Sequence, residues 1–477
     1  MLIGREKESQ VLKGALVSAS SEFIAVYGRR RVGKTYLIRE TYDDRISFYH
    51  TGIANVGRKI QLERFAKSLQ KQGMSSGRIP ANWYEAFDLL EAGIAKLPQG
   101  KKIVFIDELP WMDTQKSNFV SALEAFWNGW ASARNDIVLV VCGSATSWMT
   151  DKLIKARGGL HNRLTHRIKL EPFSLSECER FLAARGIVAT RLQMLEYYMA
   201  MGGVPYYWNY IERGKSPAQN IDAMFFAPDG ELRGEYEHLY ASLFRKPQHH
   251  IAVVTALGTK KVGMTRGELL KATHSADNGA FGKVLSELVE CGFLRRYRIP
   301  GKQVHDAVYQ LTDNFTLFHY RFLADLDEDG RGTWMDMQNT PAANAWRGLA
   351  FERVCFAHAE QIKGALGISG MRTRCYAWRS PKSKEQGERE LPGAQIDFLI
   401  ERADNAVNIC EMKYSAGEYE IDRDESRRML NRRERFMADS GSKAAVYLTF
   451  VTTCGLVRNM YWNDVQSEVT LDDLFAF

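Results

Sequence analysis

The chain reads as an α/β protein of several domains, and three observations predict it. A buried-strand run, Phe23-Ile24-Ala25-Val26-Tyr27, passes through a glycine-bounded loop into a helical pattern. Two further apolar runs of strand length follow, Ile103 to Glu108, which ends in two carboxylates, and Ile137 to Val141, which runs into a group of small polar residues. After residue 330 a second pair of strand-like segments carries acids and a lysine at fixed spacing. At 477 residues and 45% hydrophobic, the chain has material for two to four cores.

The loop after the first strand, Gly28-Arg29-Arg30-Arg31-Val32-Gly33-Lys34-Thr35, fits the phosphate-loop pattern GxxxxGK[ST]. The glycines let backbone N–H groups of residues 28 to 35 wrap around phosphates. Lys34 supplies a cation for β/γ oxygens, Thr35 a hydroxyl for Mg²⁺, and the helix opening near Gly33 its positive end. ATP with Mg²⁺ is therefore the expected ligand.

The second strand ends in Asp107-Glu108, where a phosphate-loop enzyme places its other metal-handling element. Asp107 is expected in the Mg²⁺ shell, and Glu108 is expected to orient or deprotonate the attacking water. The third strand runs into Cys142-Gly143-Ser144-Ala145-Thr146-Ser147, a group of small polar residues that is also plain turn chemistry.

The start Gly4-Arg5-Glu6-Lys7-Glu8, followed by a helical run from Gln10 to Val17, resembles the archaeal-type ATPase family of prokaryotes, a branch of the AAA+/STAND class. The resemblance continues through Asp107-Glu108-Leu109-Pro110-Trp111, the Gly143-Ser144 turn, Leu170-Glu171-Pro172-Phe173-Ser174 and Gly202-Gly203-Val204-Pro205-Tyr206-Tyr207. It implies a P-loop ATPase core over 1–173 and a helical lid over 174–230. It also implies a γ-phosphate sensor at Ser144, with Thr146 behind it, and a catalytic arginine at Arg163 in the loop from Arg157. A surface arginine in a mobile loop is the alternative for Arg163, and whether it acts on its own subunit or a neighbour stays open with the oligomeric state.

Over 231–330 the apolar positions fall in three short helical groups, Ile251 to Leu257, Leu269-Leu270 and Phe281 to Val289. A hairpin pattern follows, Phe293 to Arg298 and Ala307 to Leu311, joined through Pro300-Gly301-Lys302. Three helices and a hairpin predict a winged helix. Its third helix offers only Lys283 against Glu287 and Glu290, so protein docking competes with DNA contact through Arg295, Arg296 and Arg298.

In the last part, 331–477, a helix from Ala342 to Ala359 carries Glu352. The strands Ala394 to Ile400 and Val407 to Lys413 then set out Asp397 and Glu411-x-Lys413. Residues i and i+2 of a strand share a face, so Glu411 and Lys413 point together, and pairing of the two strands would bring Asp397 to them. The acids Glu352, Asp397 and Glu411 would then hold Mg²⁺, with Lys413 positioning water. The pattern resembles the PD-(D/E)xK nuclease-like fold, which implies either a Mg²⁺-dependent nuclease or a catalytically inactive binding platform. Arg428, Arg432 and Arg435 share one helix face, suited to a phosphate backbone or to pairing with neighbouring acids.

The formal charge of +7 lies in the ATPase part, partly in the loop arginines, so it is weak support for nucleic acid. The seven cysteines are scattered and never at C-x₂-C spacing, which points away from a disulfide framework or a zinc site. No run of about 18 apolar residues occurs and the first residues lack a signal-peptide layout, so a cytoplasmic protein without a membrane partner is expected.

Overall fold

A computed structural model describes the chain apart from residues 1, 76, 156–157, 245, 259–262, 298–306, 325, 327–332, 381–382, 385–389, 392, 442 and 477. Arg157, Arg298 and the turn Pro300-Gly301-Lys302 lie outside the described residues. Two compact units divide it, Met1–Pro172 and Phe173–Phe477.

In the first unit, α1 (Glu6–Val17) precedes β1 (Glu22–Tyr27), and α2 (Lys34–Tyr42) follows the glycine loop. Then come β2 (Ile46–Thr51), α3 (Arg58–Lys71), α4 (Trp83–Ile94), β3 (Lys102–Asp107), α5 (Phe119–Gly129), β4 (Ile137–Gly143), α6 (Thr146–Met149) and β5 (His166–Lys169). The five strands form one sheet in the order β2-β3-β4-β1-β5, all neighbours parallel. Strand β4 thus lies between the strand that feeds the glycine loop and the strand that ends in Asp107.

Burial on both faces explains why the three central strands are continuous apolar runs. Phe23, Ala25, Val104, Ile106, Leu139 and Val141 pack with α3, α4 and α5, while Ile24, Val26, Phe105, Val138, Val140 and Cys142 pack with α1 and α2. Alternation along β3 puts Asp107 on the second of these faces, beside the helix that opens at Lys34.

Gly28 shows why the loop needs its first glycine. Its φ is +145°, and a Cβ there would lie 2.2 Å from the carbonyl oxygen of Leu170, just beyond β5. Gly28→Ala is expected to destabilise the protein by about 3 kcal/mol through backbone strain and overlap, seen as a lower denaturation midpoint of the full chain.

The second unit opens with α7 (Leu175–Ala184), α8 (Arg191–Met201), α9 (Pro205–Trp208), α10 (Pro217–Ile221) and α11 (Glu235–Leu243). Next are α12 (Pro247–Gly258), β6 (Met264–Thr265), α13 (Arg266–Ala272), α14 (Gly279–Glu290), β7 (Leu294–Tyr297) and β8 (Val308–Leu311). Strands β6, β8 and β7 form a small antiparallel sheet in that order, so α12, α13 and α14 precede a hairpin. Helices α15 (Asn314–Phe318), α16 (Trp334–Met337), α17 (Pro341–Ala357) and α18 (Ala359–Ala365) lead to the last sheet.

That sheet holds β9 (Thr373–Ser380), then, past the short pair β10 (Ser383–Lys384) and β11 (Glu390–Leu391), β12 (Ala394–Arg402) and β13 (Ala406–Lys413). Helix α19 (Arg423–Ser440), β14 (Ala445–Thr452), β15 (Ser467–Val469) and α20 (Leu471–Leu474) finish the chain. The order is β15-β14-β13-β12-β9, antiparallel at β9–β12–β13 and parallel at β13–β14–β15. One face, with Phe398, Ile400, Cys410 and Met412, joins a core that runs unbroken from Phe173 to Phe475; the other packs on Met429 and Phe436 of α19. All seven cysteines are free, and no described helix is long and apolar enough to cross a membrane.

Candidate nucleotide site and C-terminal charged cluster

Positive φ at Arg31 (70°) and Gly33 (91°) folds the backbone of residues 28 to 33 into the kind of concavity that binds anions. Arg29, Val32 and Lys34 are buried, Arg30 is exposed, and Arg31 and Thr35 are half-buried. The Lys34 ammonium donates to the carbonyl oxygens of Gly28 and Arg29, 2.9 Å each, and so sits across the loop it serves.

Thr35 Oγ1 donates to Asp107 Oδ2 at 2.8 Å, joining the loop helix to the end of β3. Asp107 is 5% exposed, and its other oxygen, Oδ1, accepts from the Glu108 N–H at 2.9 Å and from the Cys142 thiol. Burial, with the Asp107 charge added to it, pushes the Cys142 pKa well up, so the sulfur keeps its proton. Tyr49 OH makes a long contact with Oδ2, 3.5 Å.

Glu108 leaves the strand at φ 47°, a left-handed conformation, and its side chain reaches the turn that follows β4. Ser144 Oγ donates to Glu108 Oε1 at 2.6 Å. A Cβ on Gly143 would fall 2.7 Å from Pro110 Cδ, so the glycine lets the β4 turn close on the segment after Glu108. Thr146 is buried behind, bonded to the Ser144 carbonyl. Ser144 therefore meets Glu108, the residue read from the sequence as the water-orienting acid.

Arg163 is exposed and its side chain has no hydrogen bond or ion pair among the described residues. Its loop is pinned to α5 by the Asn128 amide, which donates to the Gly159 carbonyl at 2.9 Å, and by buried Leu160.

Fit to ATP and Mg²⁺ follows from this donor set. The left-handed turns at Arg31 and Gly33, a buried ammonium and the Thr35–Asp107 pair offer an anion cradle next to a hydroxyl and a carboxylate for a hard cation.

In the second unit the antiparallel ladder starts at Phe398 opposite Cys410, so Asp397 and Glu411 lie one step beyond its end. A register shift between Ile396 and Leu399 puts a bulge at Asp397, a device that re-aims side chains. Lys413 Nζ lies 2.8 Å from Glu411 Oε1, as the i, i+2 spacing predicts. The remaining partners were not read from the sequence. Arg432 holds Glu411 Oε2 at 2.6 Å, and Glu425, 3% exposed, lies 3.2 Å from Lys413 and 2.5 Å from Arg428. Burial opposes the Lys413 charge, but the adjacent Glu411 carboxylate, with Glu425 behind it, outweighs this and raises its pKa. The Asp422 cap of α19, which accepts from the Glu425 N–H, is the sequence signal that fixes Glu425 at the first turn of that helix.

Asp397 and Glu352 have a different electrostatic setting. Their charges act on Arg295 and Arg353, whose pKa values burial lowers to about 10 while the two carboxylates push the other way. Arg295 Nε donates to Gln310 at 2.7 Å and its guanidinium lies 3.2 Å over the Phe356 ring. Arg295 is thus turned inward and is not a phosphate contact of the hairpin, whereas Arg296 is exposed. Arg435 is likewise buried, donating to Ser380 Oγ at 2.6 Å, so the shared helix face of Arg428, Arg432 and Arg435 is spent on internal partners. Among the described residues no group of three or more His, Cys, Asp or Glu is placed to hold a metal ion, so Glu352, Asp397 and Glu411 are not gathered into one.

Residues 2–211 match the model of a family described as an ATPase domain predominantly from Archaea, and this part of the chain is an ATPase domain. An uncharacterised protein of Methanocaldococcus jannaschii, MJECL04, is 26% identical over 360 residues, 74% of this chain and 76% of its own. The Walker-type ATPase PABY2304 of Pyrococcus abyssi aligns over 67% of this chain and 96% of its own, at 18% identity and a TM-score of 0.48. The ORC2 protein of Aeropyrum pernix with ADPNP and ADP aligns over 67% and 93%, at 13% identity and a TM-score of 0.42.

Proposed function

We propose that the chain is an AAA+/STAND-like protein that binds and hydrolyses ATP and whose nucleotide state controls a C-terminal PD-(D/E)xK-like domain acting on or binding DNA. The observation that carries the first half is the 2.8 Å bond from Thr35 to Asp107, which unites the glycine loop with the acidic strand end. In this reading residues 1–173 are the ATPase core, 174–230 the lid, 231–330 a winged helix and 331–477 the nuclease-like domain.

The amides of residues 28 to 35 and the Lys34 cation would hold the triphosphate, and Glu108, fixed by Ser144, would orient the attacking water. Mg²⁺, held through Thr35 and Asp107, would supply Lewis-acid stabilisation of the phosphoryl charge. Arg163, exposed and without a side-chain partner among the described residues, would serve as the catalytic arginine, for the nucleotide of its own or of a neighbouring subunit. Phosphate release from ATP by the purified chain, stimulated by Mg²⁺, tests the proposal; no release and no ATP binding would sink it.

A second reading, an ATP-switched regulator whose rear domain binds DNA or protein without cleaving, is supported by the ion pairs themselves. Both oxygens of Glu411 already face cations, and Arg295 and Arg353 bear on Asp397 and Glu352. Cleavage of plasmid and linear DNA with Mg²⁺ or Mn²⁺ separates the two. Activity lost in Asp397→Ala is the result expected of the nuclease; equal behaviour of wild type and variant selects the binding platform.

A further inference from the structure

Asp107 is an almost fully buried carboxylate, and its neighbours on both sides of β3 supply donors. From β4 comes the Cys142 thiol to Oδ1; from β2 comes the Tyr49 hydroxyl, at 3.5 Å from Oδ2, with the Arg39 guanidinium 4.5 Å over its ring. All three side chains lie on the sheet face that packs against α2, because residues 103, 105 and 107 alternate in step with 138, 140 and 142. Oδ1 thus receives the thiol and the Glu108 N–H, whereas Oδ2 receives Thr35.

We infer that Cys142 is a positioning residue of the ATPase site: its thiol fixes one oxygen of Asp107 and thereby keeps the other turned to Thr35 and the Mg²⁺ shell. This rests on Asp107 being the acid that serves Mg²⁺.

Packing does not call for sulfur here. Cys142 is wholly buried beside Val138, Val140, Ile24 and Val26, an apolar setting that an apolar side chain such as valine would suit. What valine lacks is a donor. The carboxylate cannot swing without giving up either the thiol and amide on Oδ1 or the threonine on Oδ2. Residues that orient a metal-site acid in this way typically govern metal affinity more than fold.

The test compares Cys142→Val with Cys142→Thr in the full chain, two side chains of the same shape that differ in a hydroxyl donor. The readouts are the Mg²⁺ concentration for half-maximal ATP turnover, ATP affinity in EDTA, and the melting temperature. Cys142→Val is expected to raise the Mg²⁺ requirement about 10-fold, with metal-free ATP binding unchanged and no loss of melting temperature. Cys142→Thr is expected to stay within about 2-fold of wild type despite its poorer fit in an apolar layer. A Cys142→Val chain with the wild-type Mg²⁺ requirement, or the two variants rising together, overturns the inference. Cys142→Ala and Cys142→Ser repeat the comparison without an added methyl and apply if either larger side chain prevents folding. Absence of Mg²⁺-stimulated turnover in the wild type would instead strike the reading of Asp107 on which the inference stands.

Discussion

Replacing Lys34 by alanine is expected to lower ATP turnover by about 10³-fold or more and to remove measurable ATP binding, because it deletes the fixed cation for the β/γ oxygens. Lys34 is 5% exposed and its ammonium is held by the carbonyls of Gly28 and Arg29, so little reorganisation stands between it and a phosphate. Loss of those two hydrogen bonds costs the fold about 1 kcal/mol each, too little to unfold a chain with cores of this extent. Calorimetric titration with ATP and a melting curve on the same sample separate the two effects. Full turnover in a folded Lys34→Ala chain would remove the glycine loop from the site.

Glu108→Gln has the opposite signature, binding without hydrolysis. The amide keeps the acceptor that Ser144 Oγ bonds at 2.6 Å but cannot take a proton or carry the charge that draws in water. Turnover is expected to fall about 10²- to 10⁴-fold with ATP affinity within a few-fold of wild type. Single-turnover kinetics with radiolabelled ATP would show the nucleotide retained intact. A variant that hydrolyses at the wild-type rate would assign water activation to another residue.

The central strands of the first sheet are legible in the sequence because a strand buried on both faces is a continuous apolar run, as in Val104-Phe105-Ile106 and Val138-Leu139-Val140. Strands β2 and β5 lie at the sheet edges and are not legible. His166, Arg167 and Lys169 leave β5 without such a run, and β2 mixes Ser47, Tyr49 and Thr51 with Ile46 and Phe48. Pairing order is equally absent from local pattern, so the place of β4 between β1 and β3 emerges only in three dimensions.

In the C-terminal sheet the two-residue spacing announces that Glu411 and Lys413 meet. It carries no trace of the bulge at Asp397, nor of Arg432 and Glu425, which reach the pair from a helix more than ten residues on. Cys142 illustrates the same limit. A cysteine in an apolar strand looks like packing, and only the neighbouring strand's acid gives it a task.

The unbroken core from Phe173 to Phe475 carries a mechanical corollary. The Leu175 N–H donates to His358 Nε2 at 2.9 Å, Arg191 pairs with Asp472 at 3.0 Å, and Glu196 of α8 interacts with Tyr414, the residue after Lys413. Helices α7 and α8 and the sheet that bears Glu411 thus share one core and these direct links. A shift of those helices would have to strain these links before it could leave Lys413 in place, as a beam bends only by loading its joints.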